Sequence, residues 1–208
     1  MKLYGYPTSS ATYRVRIVLH LKGIPFETVP VNLPAKAQRQ DAYLKINPQN
    51  RVPSLQLDDG TILTQSFAII DYLEQIAPTP AIYPADSILR ARAMAVAMAI
   101  GAEIQAVSNS SVTDYVASEY GQSDAQLGAW RAHFLREGFR AIEQLIDAAP
   151  YAFGMEPSVA DVFLVPQVFN AYRFNCDIAD FPKILAVNDV AKAHPAFEAA
   201  HPRLQPDA

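Results

Sequence analysis

The chain has 208 residues, half of them hydrophobic and 18% charged, with a formal net charge of −4. That length suits one large domain or two small ones, and that much apolar content excludes a disordered chain. The acidic balance excludes a nucleic-acid or anionic-lipid surface, no apolar run approaches a membrane span, and a lone cysteine, Cys176, excludes an internal disulfide.

The opening "MKLYGYP" goes straight into a strand pattern without the layout of a signal peptide. With one cysteine, the expected setting is reducing and intracellular. Residues 2–6 read as a short strand, and Thr12 to Leu21 follow a helical pattern with Val15, Val18, Leu19 and Leu21 available to a core. Phe26 to Asn32 read as a second strand, placed at or near a sheet edge because Pro30 has no N–H to donate. A polar stretch follows, with one helical turn before Asn47-Pro48. "VPSLQL" and "TILT" form a hairpin around Asp58-Asp59-Gly60. Ser66 reads as the N-cap of a helix whose Ile69, Ile70, Leu73 and Ile76 repeat at helical spacing. The order is therefore β-α-β-α-β-β-α.

The Pro-rich stretch from Pro78 to Asp86 reads as a linker. Past Ser87 no strand pattern appears. One long helix is expected from Ser87 to Val107. A second opens at the capping box Ser123-x-x-Gln126, and a third at the similar Ser158-x-x-Asp161, with Pro166 expected to kink or shorten it. "KILAVNDVAKAH" reads as a last amphipathic helix, and the tail lacks periodicity. The fold class is α/β plus all-α. Expected are a first domain over 1–78, a linker over 79–86 and a helical domain over 87–208.

Three fragments carry chemistry. Ser9 and Ser10 stand where the first strand ends and the first helix begins. A serine there can cap the helix, or it can help the helix N-terminus hold a thiolate, which would be a ligand's, since no cysteine lies nearby. Pro53 opens a strand; its peptide bond with Val52 is either an ordinary trans edge proline or a cis bond that turns the Val52 backbone toward an added extended chain. Gln65 and Ser66 offer an amide, a hydroxyl and helix N–H groups, suited either to capping or to a carboxylate headgroup. Arg14 and Arg16 read as structural, because their helix must pack. The four histidines lack ligand spacing, and there is no Gly-rich phosphate loop, so neither a metal nor a nucleotide is expected.

In this order, "VPSL", "TQSFAIIDYLE" and "PSVADVFLVPQV" resemble the cis-proline segment, the γ-glutamyl-binding segment and the capping-box helix of glutathione transferases. The resemblance spans nearly the whole chain. Within the family, "SSATYRVRIVL", "FETVPVNL", "LVPQVFNAYRF" and "HPRLQPD" are most similar to the zeta class, which includes maleylacetoacetate and maleylpyruvate isomerases. It implies a thioredoxin-like N-terminal domain, a C-terminal helical bundle, a cytoplasmic homodimer, and glutathione as cosubstrate. It also implies a cis Val52–Pro53 bond. Ser9 would bond the glutathione sulfur with Ser10 beside it, Val52 and Pro53 would meet the cysteinyl part, and Gln65 and Ser66 the γ-glutamyl carboxylate. Asn109 matches a position that reaches glutathione, and Arg173 one that binds a substrate carboxylate. Thr8, Tyr13, Ser110, Ser111 and Asn170 complete the expected substrate pocket.

The implied reaction is thiolate addition to a cis double bond, rotation, and elimination to the trans acid. The chain also departs from the class. Ala11 stands where zeta sequences carry cysteine. Thr8 replaces an arginine, and Ser110 and Ser111 stand where maleylpyruvate isomerases carry arginines. A diacid needs paired cations. A transferase, lyase or dehalogenase acting on a less charged electrophile is therefore the rival reading, and a non-catalytic binding module of the same fold is a third.

Overall fold

The computed structural model describes residues 1–206. It opens with β1 (Lys2–Gly5), α1 (Ser10–Leu21), β2 (Glu27–Pro30), the single turn α2 (Asp41–Leu44), β3 (Ser54–Gln56), β4 (Ile62–Thr64) and α3 (Ser66–Ile76). This is the βαβαββα order read from the sequence. The strands lie in the order β2-β1-β3-β4, with β1 parallel to β2 and the other neighbours antiparallel. β2 is an edge, as Pro30 requires. Leu3, Leu55 and Leu63 stand in register across the sheet, and the first two are fully buried. The hairpin between β3 and β4 closes through Leu57 N–H to the Thr61 carbonyl at 2.9 Å. Asp59 accepts from Thr61 N–H at 2.9 Å, and Gly60 takes φ of +89°.

Helix α1 is not amphipathic in the usual sense: every residue from Ser10 to Leu19 is buried, arginines included. It lies against α3 and a short helix from the chain's end. Gly5 allows its first turn to approach β1 closely, since a Cβ there would fall 2.3 Å from Thr12 Cγ2.

After residue 86 the chain is helical. α4 (Ser87–Met98) runs through a π-helical turn at Ala99–Ile104 into α5 (Gln105–Ser108). α6 (Ser110–Tyr120), α7 (Asp124–Leu145), α8 (Val159–Arg173), α9 (Pro182–Lys192) and α10 (Pro195–Ala199) follow. Among the described residues no strand lies past β4, apart from an isolated bridge between Tyr151 and Gly154. Both expected boxes are formed. Ser123 Oγ accepts from Gln126 N–H while Gln126 Oε1 accepts from Ser123 N–H at 2.9 Å. Asp161 Oδ2 accepts from Ser158 N–H and from its hydroxyl, each at 2.8 Å.

Four elements differ from expectation. The long helix is broken by the π turn. α6 has no counterpart in the sequence reading; its cap is Asn109 and its stop is Gly121 at φ +63°. Pro166 sits inside α8 without ending it, because a helix buried on nearly every side is held by its packing. The aperiodic tail forms α10 and a 3₁₀ turn at Pro202–Leu204.

The chain divides into two compact units. One is residues 1–81 together with the segment from His194 onward, and the other is Ile82–Ala193. The tail therefore clusters with the sheet-bearing unit, although it was expected with the helices. Tyr13 donates to the Phe197 carbonyl, and Arg16 Nε to the Ala200 carbonyl at 2.9 Å, which ties the tail to α1. In the helical unit, α8 packs against α4 and α9 and carries more of that core than any other helix. No helix among the described residues is long and apolar enough to cross a membrane.

Candidate functional site

Register gathers the candidate residues of the first unit at one end of its sheet. Tyr4 of β1, Ser54 of β3 and Thr64 of β4 stand side by side as the last paired residues there. Beyond Tyr4 the chain turns into Ser9 and α1. Pro53 and Val52 lie just before Ser54, and Gln65 and Ser66 just after Thr64. Three distant sequence fragments thus meet because β3 is antiparallel to both neighbours.

Ser9 is the N-cap of α1, with φ −71° and ψ 116°, and its Oγ accepts from Thr12 N–H at 3.3 Å. The capping and thiolate readings are compatible. Capping uses a lone pair of the oxygen and leaves the O–H to donate. The hydroxyl is half-buried, and no acidic side chain lies in the first turn to cancel the positive helix end. Ser10, one residue on, is buried as the first residue of the helix.

The Val52–Pro53 bond is cis. The paired ladder stops at Ser54, so Val52's backbone lies beyond it. The loop before it is held from below. Tyr43 O–H and Asn47 Nδ2 both donate to the Arg51 carbonyl at 2.8 Å, and Tyr43 also meets Ser54 Oγ at 3.0 Å. Tyr43 and Asn47 are buried, so two fixed donors set the peptide that precedes Val52.

Ser66 is not the N-cap of α3; Gln65 is. Gln65 adopts φ +68°, rare for a residue with a side chain, and makes no side-chain cap bond. This leaves Ser66 as the first helical residue. Its hydroxyl joins the free N–H groups of a helix that again has no acid in its first turn. The Gln65 amide donates to Gln49 Oε1 at 2.9 Å. The sequence reading missed Gln49; its only signal is the Asn47-Pro48 turn, where Asn47 Oδ1 accepts from Gln49 N–H. An ionised carboxylate fits this corner, where a hydroxyl, an amide and helix N–H groups occur together.

Tyr13 packs instead of lining a surface. It is 1% exposed, its hydroxyl donates to the Phe197 carbonyl at 3.3 Å, its ring meets His201 edge-on, and burial pushes its phenol up to about 12. Thr8 is half-buried in the turn before Ser9.

In the helical unit, Asn109 is committed to capping. Its Oδ1 accepts from Ser111 N–H and Val112 N–H, and from the Ser111 hydroxyl, while its Nδ2 donates to the Ala106 carbonyl. Ser110 is exposed as the first residue of α6. Asn170 and Arg173 lie one turn apart on α8. Asn170 Oδ1 is buried with no hydrogen-bond partner among the described residues. Arg173 is exposed, its guanidinium 5.3 Å from the centre of the Phe174 ring, and Arg131 lies 5.0 Å from the same ring. Arg131 was not singled out in the sequence, where nothing links it to residue 174. No group of three or more metal-ligating side chains occurs among the described residues.

Residues 3–81 match the glutathione S-transferase N-terminal domain family. The whole chain is 46% identical to a maleylacetoacetate isomerase of Pseudomonas aeruginosa, covering 98% of that protein. A bacterial zeta-class glutathione S-transferase, maleyl pyruvate isomerase in its holo structure, superposes with a TM-score of 0.96 at 39% identity, with 100% of both chains covered. A maleylacetoacetate isomerase from Methylobacterium extorquens AM1, solved with malonate and glutathione, gives 0.96 at 32% identity, with 100% of this chain and 99% of that one covered.

Proposed function

The chain belongs to the glutathione S-transferase family, on its zeta-class branch, and from that premise we propose that it is a glutathione-dependent cis–trans isomerase of a maleyl-type acid, maleylacetoacetate or maleylpyruvate. The observation that carries this reading is the Ser9 hydroxyl, which caps α1 with its oxygen and keeps its proton to give. Glutathione, when bound, supplies the thiolate that adds to and leaves the double bond.

The residues divide the work. The Ser9 hydroxyl and the N–H groups of α1 favour the ionised form of a thiol, with Ser10 supporting the same turn. Val52 offers its N–H and carbonyl to the peptide's cysteinyl part, and Pro53 keeps that backbone at the sheet end. Ser66, the α3 N–H groups and the Gln65–Gln49 amide pair hold the γ-glutamyl carboxylate. Arg173 takes a substrate carboxylate, and the buried Asn170 adds an amide. Arg131, beside the same Phe174 ring, supports the acid reading with a second cation. Thr8 stands where zeta-class sequences carry an arginine, and Ser110 and Ser111 where maleylpyruvate isomerases do, so each offers a hydroxyl in place of a cation.

Replacing Gln65 or Ser66 by alanine should raise KM for glutathione roughly 10- to 100-fold, the worth of a hydrogen bond to a charged group, with kcat nearly unchanged. Steady-state kinetics with glutathione varied would check this; an equal fall in kcat would remove the assignment.

The deciding experiment compares glutathione-dependent turnover of maleylpyruvate and maleylacetoacetate with a panel of aryl and alkyl halides and thioethers. Turnover of a cis diacid supports the isomerase. Halide or thioether turnover alone would select the less charged electrophile, and the departures at Thr8, Ser110 and Ser111 would be its cause. The enzyme is further proposed to be a cytoplasmic homodimer. Light scattering should give twice the chain mass, and a monomer mass would exclude it.

A further inference from the structure

We propose that Arg16 is a positioning residue for Ser9, holding the Pro7 carbonyl and the tail in one fork so that the turn into α1 presents the Ser9 hydroxyl correctly. The inference rests on Ser9 being the thiol's donor.

The turn is short and nearly buried. Ser9 N–H closes it onto the Tyr6 carbonyl at 3.1 Å, and Pro7, which has no N–H, contributes only a carbonyl. Arg16 Nη2 donates to that carbonyl at 2.9 Å, two residues before Ser9. Its Nε donates at the same distance to the Ala200 carbonyl, at the C-terminal end of α10. Helical side chains lean toward the helix N-terminus, which is how Arg16 reaches back to Pro7.

Packing alone does not ask for a guanidinium here. Arg16 is 1% exposed, and an apolar side chain would fill the space without desolvating a charge. A planar fork can bond carbonyls from two separate segments at once and fix the angle between them. An ammonium at the end of a flexible stem cannot. The tail's carbonyl, at the negative end of a helix, is a suitable second anchor.

The test uses the full-length Arg16→Lys and Arg16→Met variants. Three quantities are read for each: glutathione affinity, the pKa of the bound thiol from the thiolate's ultraviolet absorbance, and kcat. Wild type is titrated first. If it does not ionise bound glutathione more readily than free glutathione, the Ser9 reading itself falls. If it does, both variants should bind glutathione nearly as well as wild type, because the Gln65–Ser66 corner is intact. Their bound thiol should ionise about tenfold less readily, one pKa unit higher, and kcat should fall about 10- to 100-fold. A wild-type thiol pKa in both variants would overturn the proposal. Full recovery in Arg16→Lys would also overturn it, since charge without the fork would then suffice. Should Arg16→Met fail to fold, Arg16→Lys decides alone.

Discussion

Ser9→Ala should lower kcat for isomerisation by about 10²- to 10³-fold at neutral pH, the usual effect of removing one preorganised donor from a developing or resting anion. The loss should have a particular shape. Glutathione binding should change little, because Ser66 and the N–H groups of α3 do not involve Ser9. The bound thiol should return toward the ordinary thiol range near 8.5. Raising the pH should therefore rescue the variant, since solvent then removes the proton that Ser9 no longer helps to release. Wild type should stay flat over the same range. The substitution also deletes a helix cap, worth about 1 kcal/mol, so a small fall in Tm belongs to it. Ser9→Thr keeps both the cap and a donor and should retain much of the rate. A pH–rate profile of Ser9→Ala that overlays wild type would end the assignment of Ser9.

The largest effect on stability should come from Asp161→Asn. Asp161 is fully buried in the first turn of α8, where its carboxylate accepts from Ala152 N–H, Ser158 N–H and the Ser158 hydroxyl, each at 2.8 Å. Burial pushes its carboxyl up, while the three donated bonds pull it the other way. An amide of the same shape has one acceptor oxygen and must turn its NH₂ toward a donor. At least one backbone N–H is then stranded in the core. Together with the lost bonds, the cost is roughly 3 kcal/mol, or a fall in Tm of about 6–12 °C for a chain of this size. Urea unfolding with an unchanged slope would measure it. A loss below about half a kcal/mol, the level of an ordinary surface substitution, would mean the box is ornamental.

Much of the fold was written in local signals that act over a few residues. The two Ser-x-x-acid or amide boxes, the Asp-Asp-Gly hairpin and the edge-forcing Pro30 each name a backbone geometry that few other residues satisfy. α6 escaped because its sequence is largely polar and its cap is an asparagine read for another purpose. The Asn109 amide has four bonds within its own turn, and no resemblance of position reveals that. The tail escaped because five-residue helices are too short to show a period. Gln65 escaped in a different way. Its φ of +68° is imposed by the end of the hairpin and the start of α3, not by its own preferences, so a reader of sequence puts the cap one residue late. Arg16 looked structural for the plain reason that its two carbonyl partners are 9 and 184 residues away.

The return of the tail to the sheet-bearing unit also bears on the order in which the protein is made. The ribosome releases the sheet and α1 first, then the whole helical unit, and only then the stretch from His194 that supplies the Phe197 and Ala200 carbonyls. Until the stretch from His194 has emerged, Arg16 is a cation in a nascent domain without its distal anchor. With Arg16 as the proposed positioning residue, a chain cut short before His194 would carry Ser9, Val52, Gln65 and Ser66 and still lack the clasp behind Ser9.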